Sequence, residues 1–172
     1  ALKTDGSTAV WQFPADSKGL GFIYSTPAVA GGALFFGAYD RKVYALNLAS
    51  GAKKWEVDTG AEVVSSPVVV GNTVYVGSGN GKFYALDVET GVISWQVVLG
   101  QKVWSDPVVD KSTVYIGSMS HTVSALDAVN GKKLWEYKMV GAVGAPLALA
   151  NGKLYAAALS TLVALDAKTG EK

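Results

Sequence analysis

Apolar residues along this 172-residue chain fall in short bursts and nowhere in helical spacing. From Pro67 to Val98 the bursts read "PVVV", "TVYVG", "KFYALD" and "ISWQVV". "TVYVG" alternates apolar and polar in period two, the pattern of a strand with one face buried. Gly71-Asn72, Gly79 to Gly81 and Thr90-Gly91 separate the bursts. Gly and Asn accept the positive φ that tight hairpins require. Pro67 stands where a strand begins and no ladder donor is needed. The stretch therefore predicts four short strands joined by tight turns, an antiparallel meander of about 40 residues.

The same pattern recurs along the chain. Pro27, Pro67, Pro107 and Pro146 are spaced 40, 40 and 39 residues apart, and Trp55, Trp95 and Trp135 are 40 apart. A four-stranded sheet of this size has two apolar faces and cannot bury both alone, whereas stacked copies can. The predicted fold is all-β: a β-propeller of four blades of about 40 residues each. The boundaries read as 14–58, 59–98, 99–138 and 139–172, with the last blade lacking its outer strand. The chain opens on "ALKTDGSTAVW", in which Ala1 and Trp11 stand ten residues apart, as Ala85 and Trp95 do. Residues 1–13 are thus expected to supply a closing strand to the last blade, within one chain or across two.

Composition narrows the function more than it names one. There are 15 basic and 14 acidic residues with no long basic block, so bulk charge favours neither nucleic acid nor an anionic membrane. No cysteine is present, which removes disulfides, thiolate nucleophiles and Cys-ligated zinc. No apolar run reaches the ~18 residues of a membrane span. The start at Ala1, without Met, reads as a processed protein or a piece of a longer one.

"ALNLASGAKKW", "ALDVETGVISW" and "ALDAVNGKKLW" resemble the tryptophan-docking motif of quinoprotein-type propellers, A-x-D-x-x-x-G-x-x-x-W. The chain is thereby similar to the PQQ-like repeat family, over essentially its whole length. That family includes pyrroloquinoline quinone-dependent alcohol dehydrogenases, the lipoprotein scaffold of the outer-membrane β-barrel assembly machinery, and sensor domains attached to kinases. The resemblance implies docking roles for Trp11, Trp55, Trp95 and Trp135, for Asp87, Asp127 and Asp166 (Asn47 in the first unit), and for Gly51, Gly91, Gly131 and Gly170. Such aspartates also suit turn caps, since Asp bonds backbone amides two residues on. By resemblance alone, the compartment is extracytoplasmic, periplasmic or at the cell surface.

No catalytic, cofactor or metal residues are expected. Family dehydrogenases hold a quinone with calcium and a catalytic Asp, and Glu62, Glu89 and Asp106 form no recognisable ligand set. His121 is the single histidine, in the hairpin "MSHTV". "GSGNGK" at 77–82 lacks Ser or Thr after its Lys and leads into a strand, so it is a hairpin and not a phosphate loop.

Positions that vary between units are the better candidates for contact with a partner, because loops carry function on a fixed scaffold. One set is the hairpin between the second and third strands, with Tyr39, Arg41 and His121. The other is the entry to the first strand, where Tyr24, Val64, Trp104 and Val143 stand three residues before each Pro, and where Asp106 lies. The loop from Trp11 to Pro27, 16 residues against 12, 12 and 11 later, is the one insertion. The expected function is a non-catalytic binding or scaffold module that meets protein at its loop face. The alternatives are a fragment of a quinoprotein dehydrogenase and the ligand-sensing ectodomain of a receptor. Two copies of the chain would supply eight blades, so a homodimeric ring is a further expectation.

Overall fold

The computed structural model describes residues 10–14 and 19–172. Among the described residues it contains fifteen strands and no helix. The first sheet holds β1 (Ala28–Ala30), β2 (Ala33–Gly37), β3 (Lys42–Asn47) and β4 (Lys53–Asp58). The second holds β5 (Val68–Val70), β6 (Thr73–Gly77), β7 (Lys82–Asp87) and β8 (Ile93–Val98). The third holds β9 (Val108–Asp110), β10 (Thr113–Ser118), β11 (Thr122–Asp127) and β12 (Lys133–Lys138). The fourth has three strands, β13 (Ala148–Ala150), β14 (Lys153–Ala158) and β15 (Thr161–Asp166). Every sheet is an antiparallel meander in chain order, so each is one propeller blade. The strands of the second blade coincide with the four apolar bursts read from the sequence.

The short inner strands β1, β5 and β9 lie next to one another. The core sits between blades. Phe35, Val43 and Ala45 of the first blade meet Val74, Val76 and Leu86 of the second. Tyr75, Phe83 and Ala85 of the second meet Val114, Ile116 and Leu126 of the third. Tyr115, Val123 and Ala125 of the third meet Leu154, Ala156 and Leu165 of the fourth. Each interface is a set of apolar side chains of complementary size, which is why no blade is stable alone.

The tryptophans explain the spacing. Each belongs to one blade and docks on the next: Trp55 Nε1 donates to the Val88 carbonyl at 2.9 Å, Trp95 to Ala128 at 3.1 Å, and Trp135 to Ala167 at 3.1 Å. Within its own sheet each Trp stands opposite an alanine, Ala45, Ala85 or Ala125, just before a register shift that bends the outer strand. The ring lies on a glycine of the following blade. A Cβ added at Gly51, Gly91, Gly131 or Gly170 would stand within 2.5 to 2.8 Å of the Trp ring, and all four glycines have positive φ.

The motif aspartates cap the turns after β7, β11 and β15. Asp87 Oδ1 accepts from the amides of Glu89 and Thr90, Asp127 Oδ1 from Val129 and Asn130, and Asp166 Oδ1 from Lys168 and Thr169. Asn47 makes the same two bonds with its amide oxygen. The Thr90 hydroxyl, with its amide, holds the Asp87 carboxyl below the usual carboxylate range. The Thr169 and Lys168 amides do so for Asp166. Because these folded values lie below the unfolded ones, the stabilisation is present above about pH 4 and is lost as pH falls through the folded values. A double variant Asp87→Asn and Asp166→Asn keeps the capping oxygens, as Asn47 shows. Its urea midpoint is expected to fall less than the parent's as pH is lowered from about 5 to about 3. Parallel loss in the two proteins would contradict the assignment.

One local expectation changes. The one-residue deletion in the last unit lies in the β14–β15 hairpin, because Ala148 pairs with Tyr155 as Val108 pairs with Tyr115. Pro146 therefore stands one residue ahead of the place held by Pro107, and Val143 matches Val63 and Val103, not Val64 and Trp104. The closing strand expected over 1–13 falls largely outside the described residues. Its described part, from Val10 on, belongs to no strand, and β15 has no outer neighbour among the described residues. Trp11 is docked on the first blade, with Nε1 donating to the Leu48 carbonyl at 3.0 Å and its ring over Gly51.

Candidate binding face

The two variable sets named from sequence come together on one face. The segment entering each of the first three blades crosses that blade's own hairpin: the amide of Tyr39 donates to the Phe22 carbonyl, that of Gly79 to Glu62, and that of Met119 to Lys102. Entry segments and hairpins thus share their backbone hydrogen bonds, and their side chains emerge side by side.

On the first blade this juxtaposition makes an aromatic cluster. Tyr24 and Tyr39 have ring centroids 5.3 Å apart, and Phe22 lies 5.9 Å from each. All three are exposed, Phe22 and Tyr24 by about two-thirds at 67% and 63%. Aromatic rings left together in water are costly unless something covers them. Arg41, in the same hairpin with φ 78°, stands at the margin and pairs with Asp58 at 3.2 Å. Phe22 escaped the reading of single positions, although it lies in the long loop before Pro27, the one insertion in the chain.

On the third blade Trp104 is half-buried, with the Lys102 ammonium 4.4 Å from its ring centroid. Lys102 also pairs with Glu62 at 2.9 Å, and its ammonium holds the Glu62 carboxyl below the usual range. The Trp104 indole N–H is buried and makes no hydrogen bond among the described residues. A buried donor left unpaired costs about 1–3 kcal/mol.

The other named residues have local tasks. Asp106 Oδ1 accepts the Ser66 amide at 2.6 Å, as the Ser66 hydroxyl accepts the Thr26 amide at 2.9 Å. This run of bonds links one inner strand to the next. His121 is exposed at the tip of the third hairpin with φ 64°. Glu62 is tied to Lys102, Glu89 to Lys54 and Asp106 to Ser66, so the three acids weighed for a cofactor site are engaged separately. Among the described residues no three acids or histidines gather where they could hold a metal ion. They do not fit a quinone–calcium site.

The family model for the outer membrane protein assembly factor BamB matches residues 1–103 and 98–172. The chain belongs to this BamB family. No curated protein matches it. Among solved structures, BamB from Moraxella catarrhalis is similar with a TM-score of 0.78 at 24% identity, over 88% of this chain and 48% of that one. Quinohemoprotein alcohol dehydrogenase from Comamonas testosteroni gives 0.79 at 20% identity, over 88% of this chain and 34% of that one. The computationally designed Ika4 protein gives 0.76 at 18% identity, over 85% of this chain and 91% of that one. These likenesses establish the propeller fold. The chain spans about half the length of the BamB structure. No helix among the described residues is long and apolar enough to cross a membrane.

Proposed function

We propose that this BamB-family propeller is a non-catalytic binding module, extracytoplasmic, that meets a protein partner at its loop face. The observation that carries this is the exposed cluster Phe22–Tyr24–Tyr39, bordered by Arg41. Aromatic and Arg side chains dominate the energetics of protein contacts.

The test compares the immobilised protein with a Tyr24→Ser, Tyr39→Ser double variant in a cell-envelope extract. Both tyrosines are exposed, so the variant is expected to fold normally by circular dichroism. Proteins retained by the parent are expected to be lost, at least tenfold, from the variant. Identical retention by the two would overturn the loop-face assignment. The enzymatic alternative has its own test, in which pyrroloquinoline quinone and calcium are added. Quinone absorbance that stays with the protein, together with dye reduction by an alcohol, would replace the binding reading with catalysis.

A further inference from the structure

The tripeptide Asn-Gly-Lys occurs at 80–82, at 130–132 and at 151–153. Asparagine is a thermolabile residue. It is most reactive before glycine, which has no Cβ to shield its backbone nitrogen from the asparagine side chain. The identical local sequence gives the three sites the same intrinsic reactivity. The fold gives them three different surroundings.

Asn80, in the β6–β7 hairpin, is held at both polar atoms. Its Nδ2 donates to the Thr59 carbonyl and to the Tyr84 hydroxyl, and its Oδ1 accepts the Lys82 amide at 2.9 Å. Thr59 and Tyr84 are buried, so they anchor the side chain firmly. The Gly81 amide is engaged too, donating to the Ser78 carbonyl at 3.2 Å. Gly81 is also packed so tightly that an added Cβ would stand 2.1 Å from the Gly100 carbonyl oxygen. Asn130, in the turn after β11, is held less fully. Its Oδ1 accepts the Lys132 amide at 2.9 Å, and the Gly131 amide donates to the Asp127 carbonyl at 2.9 Å. The Trp95 ring rests on Gly131.

Asn151 differs from both. It lies in the two-residue turn between β13 and β14, exposed, with φ 50°. Among the described residues neither its side chain nor the Gly152 amide makes a hydrogen bond. An added Cβ at Gly152 would meet nothing within 4 Å. This openness belongs to the turn itself. The second blade, packed on both sides, has Gly71 in the place of Asn151, and an added Cβ there also meets nothing within 4 Å. The third blade, likewise packed on both sides, has Lys111 there, and it is exposed. A further blade set against the fourth would therefore leave Asn151 open as well.

We infer that Asn151 is a site of spontaneous modification in the folded protein, losing its side-chain amide to water well ahead of Asn80 and Asn130. The Gly152 nitrogen gives up its proton and attacks the Asn151 Cγ. The new C–N bond closes a five-membered succinimide, and Nδ2 takes up a proton and leaves as ammonia. Water then adds to one of the two ring carbonyls and opens one C–N bond. Opening at Cγ gives an aspartate. Opening at the backbone carbonyl gives an isoaspartate, in which the main chain runs through the former side chain. No electrons are gained or lost. Before the attack, rotation about the Cα–C bond must bring Cγ to the glycine nitrogen. At Asn151 that rotation breaks no bond of the side chain or of the Gly152 amide. At Asn80 it breaks three side-chain bonds and the Gly81 amide bond.

The isoaspartate has a structural consequence. It inserts an extra methylene into the main chain of a turn whose length sets the register of its strands. β13 is only three residues long, with Ala148, Leu149 and Ala150 opposite Tyr155, Leu154 and Lys153. The Gly152 carbonyl also accepts the Ala167 amide at 2.9 Å. A lengthened turn no longer holds Ala150 level with Lys153, so the inner strand of the fourth blade loosens. The aspartate product keeps the two-residue turn and leaves β13 in place.

The test ages the full chain in mildly alkaline buffer and follows each asparagine by peptide mass spectrometry. In the folded protein the Asn151 amide is expected to be lost at least about tenfold faster than that of Asn80, with Asn130 between them. In concentrated urea the three sites are expected to react at like rates, which assigns the ranking to the fold. Equal rates in the folded protein, or Asn80 or Asn130 reacting first, would overturn the inference. The isoaspartyl fraction of the aged protein is then compared with Asn151→Asp by amide hydrogen exchange. The isoaspartyl form is expected to lose protection at Ala150 and Lys153, whereas Asn151→Asp keeps it. Equal protection in the two would overturn the loosening of β13.

Discussion

Replacing Trp55 by alanine is expected to destabilise the protein by about 3–5 kcal/mol, a large share of the margin of a domain this size. The side chain is 8% exposed and fills the interface between the first two blades, with Phe35 at a centroid distance of 5.7 Å. Its indole N–H bonds the Val88 carbonyl across that interface. Truncation empties a volume walled by two separate sheets. Those sheets cannot close on it without moving the register of both. Trp55→Phe keeps most of the ring and loses the donor, at about 1–3 kcal/mol. Urea denaturation of the three proteins measures both steps. A cost below about 1 kcal/mol for the alanine variant would show that the docking contact contributes little.

Gly91→Ala is expected to cost nearly as much, from the opposite side of the same contact. Gly91 has φ 73°, where an alanine is strained by about 1–3 kcal/mol. Its Cβ would stand 2.8 Å from the Trp55 ring, adding overpacking of about 1–3 kcal/mol. The pair has a signature that single variants lack. In the double variant Trp55→Ala, Gly91→Ala, the steric part of the glycine penalty has no ring to meet. The combined loss should therefore fall short of the sum by at least about 1 kcal/mol. Strict additivity would show that the glycine is needed only for its backbone conformation.

The blades were legible because local chemistry repeats with them. Burst length, Gly-Asn turns and strand-initial prolines report on the few residues around them, and the strands follow. Caps were legible for the same reason, since Asp87 and Asn47 bond amides two and three residues ahead. The shift of Val143 was not legible. Distance from proline set Val143 with Val64 and Trp104, whereas strand pairing sets it level with Val63 and Val103 and puts the missing residue in the β14–β15 hairpin. A deletion is absorbed where a hairpin can shorten without disturbing a ladder. Asp106 was likewise ambiguous, because an acid at an entry segment reads as exposed until a neighbouring blade offers it an amide.

The sequence by itself determined the number of repeats, the strands and turns within each, and the residues that dock one repeat on another. These are properties of period and spacing, and they survive without knowledge of where any blade lies. Only the tertiary structure decided that each Trp serves the following blade and that Phe22, Tyr24 and Tyr39 share one surface. Such facts depend on which backbone carbonyls and side chains a neighbouring sheet brings within contact distance, and sheets packed face to face carry no local mark of their neighbour.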